Sequence, residues 1–259
     1  MRNCTCADGA RVGCSRVTPI GTPHPRLEHQ MAPNTIVSYD DTLNDHDALM
    51  LGRVLASAGA QLTLAYVRHT TQSERSREEL EEHEAQALLE RGARWLDDLD
   101  VARRVVVSAS TGEGLKRLAE QEGADMIVFG SDYRTAAGHV APGRSAQALL
   151  EGGPAALAIA PANYRSDRTP WIGTIGVLAV PGDDAAIDTA RELADRLGAR
   201  VTRDEPRVDL LVVGSRIEAP KGRVMVTALA QNAIENATSP VLVVGRGVPL
   251  RFAAPVAVG

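Results

Sequence analysis

The sequence is poor in aromatic residues, has no cysteine after residue 14 and contains no long apolar run. Aromatic side chains make up 3% of the 259 residues, which argues against a base-stacking surface for single-stranded nucleic acid. The formal net charge of −5 is the opposite of the basic excess that nucleic-acid binding normally needs. No apolar run approaches the roughly 18 residues of a membrane-spanning helix. We therefore predict a soluble globular protein that binds neither nucleic acid nor membrane.

The three cysteines, Cys4, Cys6 and Cys14, are confined to the first 14 residues. A disulfide framework would be spread through the fold, and a zinc site normally needs a fourth ligand. His24 or His29 could supply that ligand, but a segment without a metal is the simpler interpretation. Because the rest of the chain lacks cysteine and no export signal precedes Cys14, we expect a cytoplasmic protein.

The N-terminal stretch carries Gly, Pro, Thr and scattered Arg without an apolar period. Two interpretations of it stay open. Residues 1–31 form a disordered extension, or Met31 is the natural start of the protein. The first periodic segment begins just after Met31, which both interpretations accommodate.

In the first half of the chain, short apolar runs rich in β-branched residues alternate with helical patterns. The runs are bounded by Gly, Pro, Asp or Ser, as is typical of buried strands in a parallel sheet. The alternation predicts βαβ crossovers. The predicted strands are Thr35–Tyr39, Gln61–Val67, Arg104–Ser108, Asp125–Gly130 and Ala155–Ala160, and the predicted helices are Asp47–Ser57, Ser73–Asp98, Ser110–Glu122 and Arg144–Glu151.

The second half repeats this layout in a shorter form. "ADMIVFGS" in the first half is echoed by "VDLLVVGS", and "AALAIAP" by "PVLVVG". Val37 and Gly130 are 93 residues apart, whereas Val177 and Gly214 are 37 apart, so the middle of the unit is missing. The predicted strands are Thr174–Val180, Ala199–Arg203, Val208–Gly214 and Pro240–Val244, with helices at Ala185–Leu197 and Thr227–Ala237.

The fold class that follows is α/β, with two doubly wound, Rossmann-like parallel-sheet domains of which the second is truncated. We place the first domain at residues 32–162, a linker at 163–170, the second domain at 171–250 and a tail at 251–259. Because so short a second domain has a thin core, we expect it to pack on the first.

Ligands of open parallel sheets bind beyond the carboxyl ends of the strands. Three predicted strands of the first half end in polar or glycine-containing segments. The last of these segments is a loop that begins at Gly130 and leads directly into a helix. Glycine at position 143 permits close backbone approach to a bound group, and the following amides could hold a phosphate. The segments are Asp40-Asp41-Thr42, Val67-Arg68-His69 and the loop from Gly130-Ser131 to Gly143-Arg144-Ser145.

Together these segments resemble a tandem universal stress protein. The resemblance rests on Asp40 with "DALMLGRVLA", on "ADMIVFGS", on "GRSAQALLEGGPAALAIAP", and on "VDLLVVGS…AQNAIENATSPVLVVGRG". ATP-binding members of that family carry Gly, two residues, Gly, nine residues, then Gly followed by Ser or Thr. Gly130 and Gly143 match the outer positions. Tyr133 replaces the middle Gly, and Arg144 follows the last one.

The resemblance implies a regulatory protein that binds ATP, with Mg²⁺, through the first domain. By it, Asp40 would meet the adenine or ribose, and the backbone at Val67 would contact adenine. Gly130, Gly143 and Ser145 would hold the ribose and phosphates. Asp41, Thr42, Ser131 and Arg144 flank these positions and complete the candidate nucleotide-binding set.

For the second half the resemblance implies no nucleotide site. Its first strand ends in Val180-Pro181-Gly182 without an acid, Ile217 stands at the middle-glycine position, and Ala228 lies near the last one. This half is expected to be a structural partner. Family members commonly pair through their last strands, so Ala155–Ala160 and Pro240–Val244 are expected to meet as a pseudo-dimer within one chain. A further homodimer stays open.

Two alternatives remain beside nucleotide binding. Tyr133 could close the site and leave an interaction protein, or Asp40 and Asp41 could orient Mg²⁺ and water in a slow ATP hydrolase. The chain offers no positioned general base, so binding is favoured over catalysis. Both aspartates could equally shape the turn and cap a helix. His69 and His139 are most simply solvated loop residues.

Overall fold

The computed structural model describes residues 32–69, 75–98, 100–167, 170–203, 205 and 207–252. The extension predicted at 1–31, all three cysteines and most of the predicted tail lie outside the described residues. None of the described helices is long and apolar enough to cross a membrane.

A nine-stranded sheet runs through both halves of the chain, in the order β3-β2-β1-β4-β6-β11-β9-β7-β8. Every pairing in it is parallel except that between β6 and β11. This confirms an α/β fold with a mostly parallel sheet. The strands are β1 Asn34–Ser38, β2 Gln61–His69, β3 Ala102–Ser108, β4 Met126–Gly130, β6 Ala156–Ala160, β7 Thr174–Leu178, β8 Arg200–Thr202, β9 Leu210–Gly214 and β11 Val241–Val244.

Within the described residues, six helices cover the two faces of the sheet, and their ends follow local capping chemistry. Thr42 forms a capping box with Asp45, so the first helix begins four residues earlier than its apolar pattern predicts. Gly123 and Gly198 end their helices in the left-handed conformation that glycine adopts without strain. The helices are α1 Leu43–Ser57, α2 Arg75–Trp95, α3 Thr111–Glu122, α4 Arg144–Leu150, α5 Ala185–Leu197 and α6 Ala228–Glu235.

Side chains that alternate along the strands feed two apolar layers. Val37 and Val128 join the layer under α1, α2 and α5, whereas Ile36 and Ile127 join the layer under α3, α4 and α6. All four residues are fully buried. Burial on both faces explains why the strand sequences are nearly continuous apolar runs.

The two halves of the chain meet along β6 and β11, where Ala158 faces Leu242 in antiparallel register. The pairing expected between the last strands is therefore present. A second contact, the ribbon of β5 (Glu151–Gly153) and β10 (Val224–Met225), is not predicted by the sequence because strands this short show no periodicity. The amide of Val140 also donates to the carbonyl of Ala237 at 3.1 Å.

The polar segment after β6 is anchored to α1 through Asp47, whose side chain is fully buried. The amides of Asn163 and Arg165 donate to this carboxylate at 2.9 and 2.8 Å, and Nη1 of Arg165 lies 3.0 Å from both of its oxygens. A short 3-10 turn at Tyr164–Ser166 results. The start of the predicted linker is thus held firmly against the first half.

Candidate functional site

The carboxyl ends of β1, β2 and β4 meet the starts of α3 and α4 at one edge of the sheet. The side-chain amide of Asn44 donates to the carbonyl of Ser131 at 2.6 Å, which joins the loops after β1 and β4. Nε2 of His69 lies 3.4 Å from the hydroxyl of Thr111. The backbone of Ser145 lies against Gly112 in the first turn of α3. The predicted loops therefore lie side by side at this edge of the sheet.

The two motif glycines stand in very different surroundings. A Cβ at Gly130 would collide with the carbonyl oxygen of Asn44, so this glycine is explained by the packing of α1 on β4. A Cβ at Gly143 would meet nothing within 4 Å, and the φ angle of −67° suits any residue. No contact among the described residues requires glycine at position 143.

Ser131 and Thr42 use their hydroxyls within the fold. Ser131 is buried, donates to the carbonyl of Ala160 at 2.7 Å and accepts from the amide of Ala141 at 3.2 Å. Thr42 accepts from the amide of Asp45 as the N-cap of α1. These three contacts account for both hydroxyls without a ligand.

Asp40 is exposed at the end of β1, and its carboxylate has no hydrogen-bond partner among the described residues. Partial burial and the charge of Asp45 raise the pKa of Asp40, while His69 acts in the opposite direction. The carboxylate is therefore available to a hydroxyl or amino donor from outside the chain.

Asp41 contacts α2 from a left-handed backbone with φ 57°. It accepts from the hydroxyl of Tyr39 and from Nε of Arg91, each at 2.7 Å, and lies 3.4 Å from Nε2 of His46. Burial alone would raise the pKa of Asp41, but the hydrogen bonds from Tyr39 and Arg91 outweigh it and lower the pKa. The structure thus separates the two neighbouring acids.

Of the other predicted positions, one is buried in the fold and the rest are accessible at the loop. Val67 is buried, and its side chain packs on α3 at Gly114. Tyr133 is 73% exposed, with the guanidinium of Arg134 4.9 Å from its ring centroid, so its ring does not plug the interior of the loop. Arg144 is exposed, and Ser145 makes no side-chain hydrogen bond to the described residues.

The loop after β9 repeats the hydrogen bonds of the loop after β4. Ser131 bonds residues 29 and 10 positions ahead, and Ser215 bonds Val244 and Met225 at the same two spacings. At the position equivalent to Gly143, Thr227 caps α6 by accepting from the amide of Ala230 at 3.1 Å. Gly143 supplies no side-chain cap to α4.

A concave surface that was not predicted from the sequence lies between α1, α2 and the 3-10 turn. We call it the arginine groove; its volume is about 810 Å³, and its lining includes Met50, Arg53, Arg91, Arg94, Trp95 and Arg165. Trp95 belongs to the apolar stripe of α2 by its spacing, but it is 39% exposed. The grouping of Arg91, Arg94 and Trp95 in the last turns of α2 was the available signal.

Asp45, His46 and Asp47 point to three different partners, as expected for consecutive residues at a helix start. Asp45 accepts from Thr42, His46 stacks on Trp95, and Asp47 binds Arg165. Within the described residues, no three His, Cys, Asp or Glu side chains are grouped as metal ligands.

Comparison with known proteins identifies one family and a shared fold. The model of the universal stress protein family matches residues 31–161. A universal stress protein from Archaeoglobus fulgidus superposes with a TM-score of 0.63 at 13% identity, covering 83% of this chain and 98% of its own. A protein from Pseudomonas aeruginosa described in the same terms superposes at 0.54 with 16% identity, over 84% of this chain and 95% of its own. No curated protein sequence matches this chain.

Proposed function

We propose a function from one premise, that the chain belongs to the universal stress protein family. The first half acts as a regulatory adenine-nucleotide binding module in the cytoplasm, and ATP with Mg²⁺ is its ligand. The site is the edge of the sheet between the loops after β1 and β4. The second half is a shortened domain of the same type that completes a pseudo-dimer through β6 and β11.

The observation that carries this proposal is the environment of Gly143. Its backbone angles suit any residue, and a Cβ would meet open space, so no internal contact accounts for glycine. A group that approaches the backbone from outside would account for it. The equivalent position in the second half has Thr227, whose hydroxyl occupies the helix start.

The available side chains around this glycine suit a nucleotide. The free carboxylate of Asp40 can accept hydrogen bonds from ribose or adenine. The guanidinium of Arg144 can pair with phosphate, and the hydroxyl of Ser145 can donate to it. Gly130 and Ser131 support the loop rather than the ligand, because Asn44, Ala160 and Ala141 already account for them.

The test is a calorimetric titration of ATP with Mg²⁺ into the full chain and into Gly143→Leu. The open space at position 143 lets the leucine fold without strain while it fills the approach to the backbone. Ala137→Leu, in the exposed part of the same loop, is the matched control. We expect one site per chain in the unchanged protein and in the control, and loss of binding in Gly143→Leu.

Thermal unfolding with millimolar ATP provides the second readout, because a ligand of the folded state must stabilise it. At 100 times its dissociation constant a ligand adds about 2.7 kcal/mol to the free energy of unfolding. Absence of both heat and thermal protection contradicts the proposal and favours an interaction protein of the same fold. ATP turnover that Asp40→Ala abolishes would instead indicate the hydrolase.

A further inference from the structure

The arginine groove concentrates positive charge on a protein whose net charge is −5. Four guanidinium groups line it, from Arg53 in α1, Arg91 and Arg94 in α2, and Arg165 in the 3-10 turn. These elements are brought together only by the fold, since Arg53 and Arg165 are separated by most of the first half. A volume of about 810 Å³ lies within the usual range for a small-molecule site.

The acidic neighbours leave much of this charge unneutralised. Arg91 donates from Nε to Asp41 and from Nη1 to the carbonyl of Ala87. Arg165 uses Nη1 alone, for Asp47 and for the carbonyl of Leu43. Arg53 has a long pairing of 3.9 Å with Asp97, which is 81% exposed. Arg94 has no ion-pair partner among the described residues. Free N–H groups of several guanidiniums therefore face one groove, which suits a doubly charged oxyanion better than a single carboxylate.

Trp95 supplies an aromatic surface in the same groove. One side of its indole stacks on His46, with ring centroids 4.6 Å apart and an angle of 19° between the planes. His46 is in turn held near Asp41 and the hydroxyl of Tyr39, each at 3.4 Å. The indole is thus fixed from behind and is 39% exposed at the groove.

A single residue, Asp41, fixes both components of the groove. One of its oxygens holds Arg91 at 2.7 Å, and the other lies against Tyr39 and His46, which support Trp95. A cation and an aromatic plane are therefore oriented before any ligand arrives. Such preorganisation lowers the entropic cost of binding.

From this geometry we infer that the arginine groove is a second ligand site, which takes a small planar aromatic molecule carrying a phosphate group. The ring stacks beside Trp95, and Arg53 and Arg94 bind the phosphate. A phosphate monoester carries a charge near −2 at neutral pH, which several guanidiniums can share. The site lies on the α1–α2 face, and its lining includes neither Asp40, Gly143, Arg144 nor Ser145, the residues to which the proposed function assigns ATP.

The chain contains two tryptophans, so Trp171→Phe leaves Trp95 as the only indole. Trp171 is 74% exposed and outside the groove. Full-length Trp171→Phe protein is titrated with phenyl phosphate, cyclohexyl phosphate and inorganic phosphate while Trp95 fluorescence is recorded. We expect a saturable change with phenyl phosphate and at least ten-fold weaker binding of the other two. Absence of saturation, or equal binding of all three, overturns the inference.

Variants in the same background locate the site. The double variant Arg53→Gln with Arg94→Gln should bind phenyl phosphate at least ten-fold more weakly. Arg191→Gln, on the exposed surface of α5, should leave the affinity unchanged. Gly143→Leu should also leave it unchanged. Unaltered binding in the arginine double variant, or loss in Gly143→Leu, overturns the inference, the latter by placing the ligand at the strand-end edge of the sheet.

The role of the indole is tested by calorimetry on Trp95→Leu. Without the aromatic plane, phenyl phosphate should lose its advantage and bind as cyclohexyl phosphate does. Retention of the ten-fold preference contradicts a stacking role for Trp95. Circular dichroism of each variant establishes that it is folded.

Discussion

The loops after β4 and β9 share a backbone framework but end differently. Ser131 and Ser215 bond to the last strand of their own half at the same spacing of 29 residues. Gly143 then leaves the start of α4 without a side-chain cap, whereas Thr227 caps α6 with its hydroxyl. The same pattern of loop hydrogen bonds therefore precedes a helix start without a side-chain cap in the first half and a capped helix start in the second half.

The two strand-end glycines should differ most when each is replaced by alanine. In Gly130→Ala the new methyl group meets the carbonyl of Asn44, and backbone atoms cannot move aside cheaply. We expect a loss of at least about 3 kcal/mol in the free energy of unfolding. In Gly214→Ala the nearest atom is the amide nitrogen of Val180 at 3.3 Å, so we expect a change below about 1 kcal/mol.

Urea unfolding of both alanine variants measures this difference. Similar losses in the two variants would show that α1 does not approach β4 as closely as the structure has it.

The next largest difference is expected between Asp47 and Thr189, which anchor the segments after β6 and β11, when each side chain is replaced. Asp47 holds Asn163 and Arg165 by charge-assisted bonds, whereas Thr189 accepts only the amide of Leu250 at 2.9 Å. Asp47→Ala leaves two amides and a guanidinium without their acceptor, and should cost about 2–4 kcal/mol. Thr189→Val should cost about 1 kcal/mol. Chemical denaturation measures both, and a larger loss in Thr189→Val would contradict the assignment.

Exchanging the helix caps tests the comparison directly. Gly143→Thr should add the hydrogen bond that Thr227 makes, and raise the stability of the ligand-free protein by a few tenths of a kcal/mol. It should also weaken the binding of ATP, because the added side chain fills the space beside the backbone at position 143. Thr227→Gly should lower stability by a similar amount without creating a nucleotide site, since the second half lacks an acid matching Asp40.

Thermal unfolding with and without ATP measures this exchange. Undiminished protection of Gly143→Thr by ATP would show that the nucleotide does not approach this backbone.

The smallest effects concern the adjacent acids at the end of β1. The raised pKa of Asp40 means that its charged form is less favourable in the folded protein. Asp40→Asn should therefore raise stability at pH 7. Because solvent screens this exposed carboxylate, the gain should not exceed about 0.5 kcal/mol. It should vanish as the pH falls below about 4 and the carboxyl becomes protonated in both states.

Asp41→Asn is the matched control, because the pKa of Asp41 is lowered. Its charged form stabilises the fold above the ordinary pKa, so this variant should lose about 0.5–1 kcal/mol at pH 7. The loss should diminish as the pH falls through the folded pKa. Unfolding free energies measured across this pH range test both variants. Changes of the same sign at pH 7 would contradict the different environments of the two carboxylates.

Much of the fold could be predicted because strands and helices depend on nearby residues. The observed bounds of α5, Ala185–Leu197, equal the predicted ones, since its apolar period is strong and Gly198 ends it. The start of α1 was predicted too late, because Thr42 and Asp45 act through a capping box rather than through an apolar period. The β5–β10 ribbon was missed because its strands have three and two residues.

The candidate site could be predicted only as a set of strand ends. Spacing singled out Gly130 and Gly143 alike, and could not show that Asn44 accounts for the first while nothing accounts for the second. The residues alone made the adjacent acids Asp40 and Asp41 equal candidates, and only the family resemblance favoured Asp40. A left-handed backbone at Asp41 turns one of them to Arg91, 50 residues away.

The sequence by itself determined the alternation of strands and helices, the echo between the two halves and the edge of the sheet at which the candidate site residues lie. These follow from periodicity and from turn residues, which act over a few positions. Only the tertiary structure decided which glycine is not required by packing and which acid lacks a hydrogen-bond partner among the described residues. It also decided that the arginines of α1, α2 and the 3-10 turn share a groove. Those properties depend on atoms that are distant in the chain, such as Asp47 and Arg165, 118 residues apart, and packing alone brings them together.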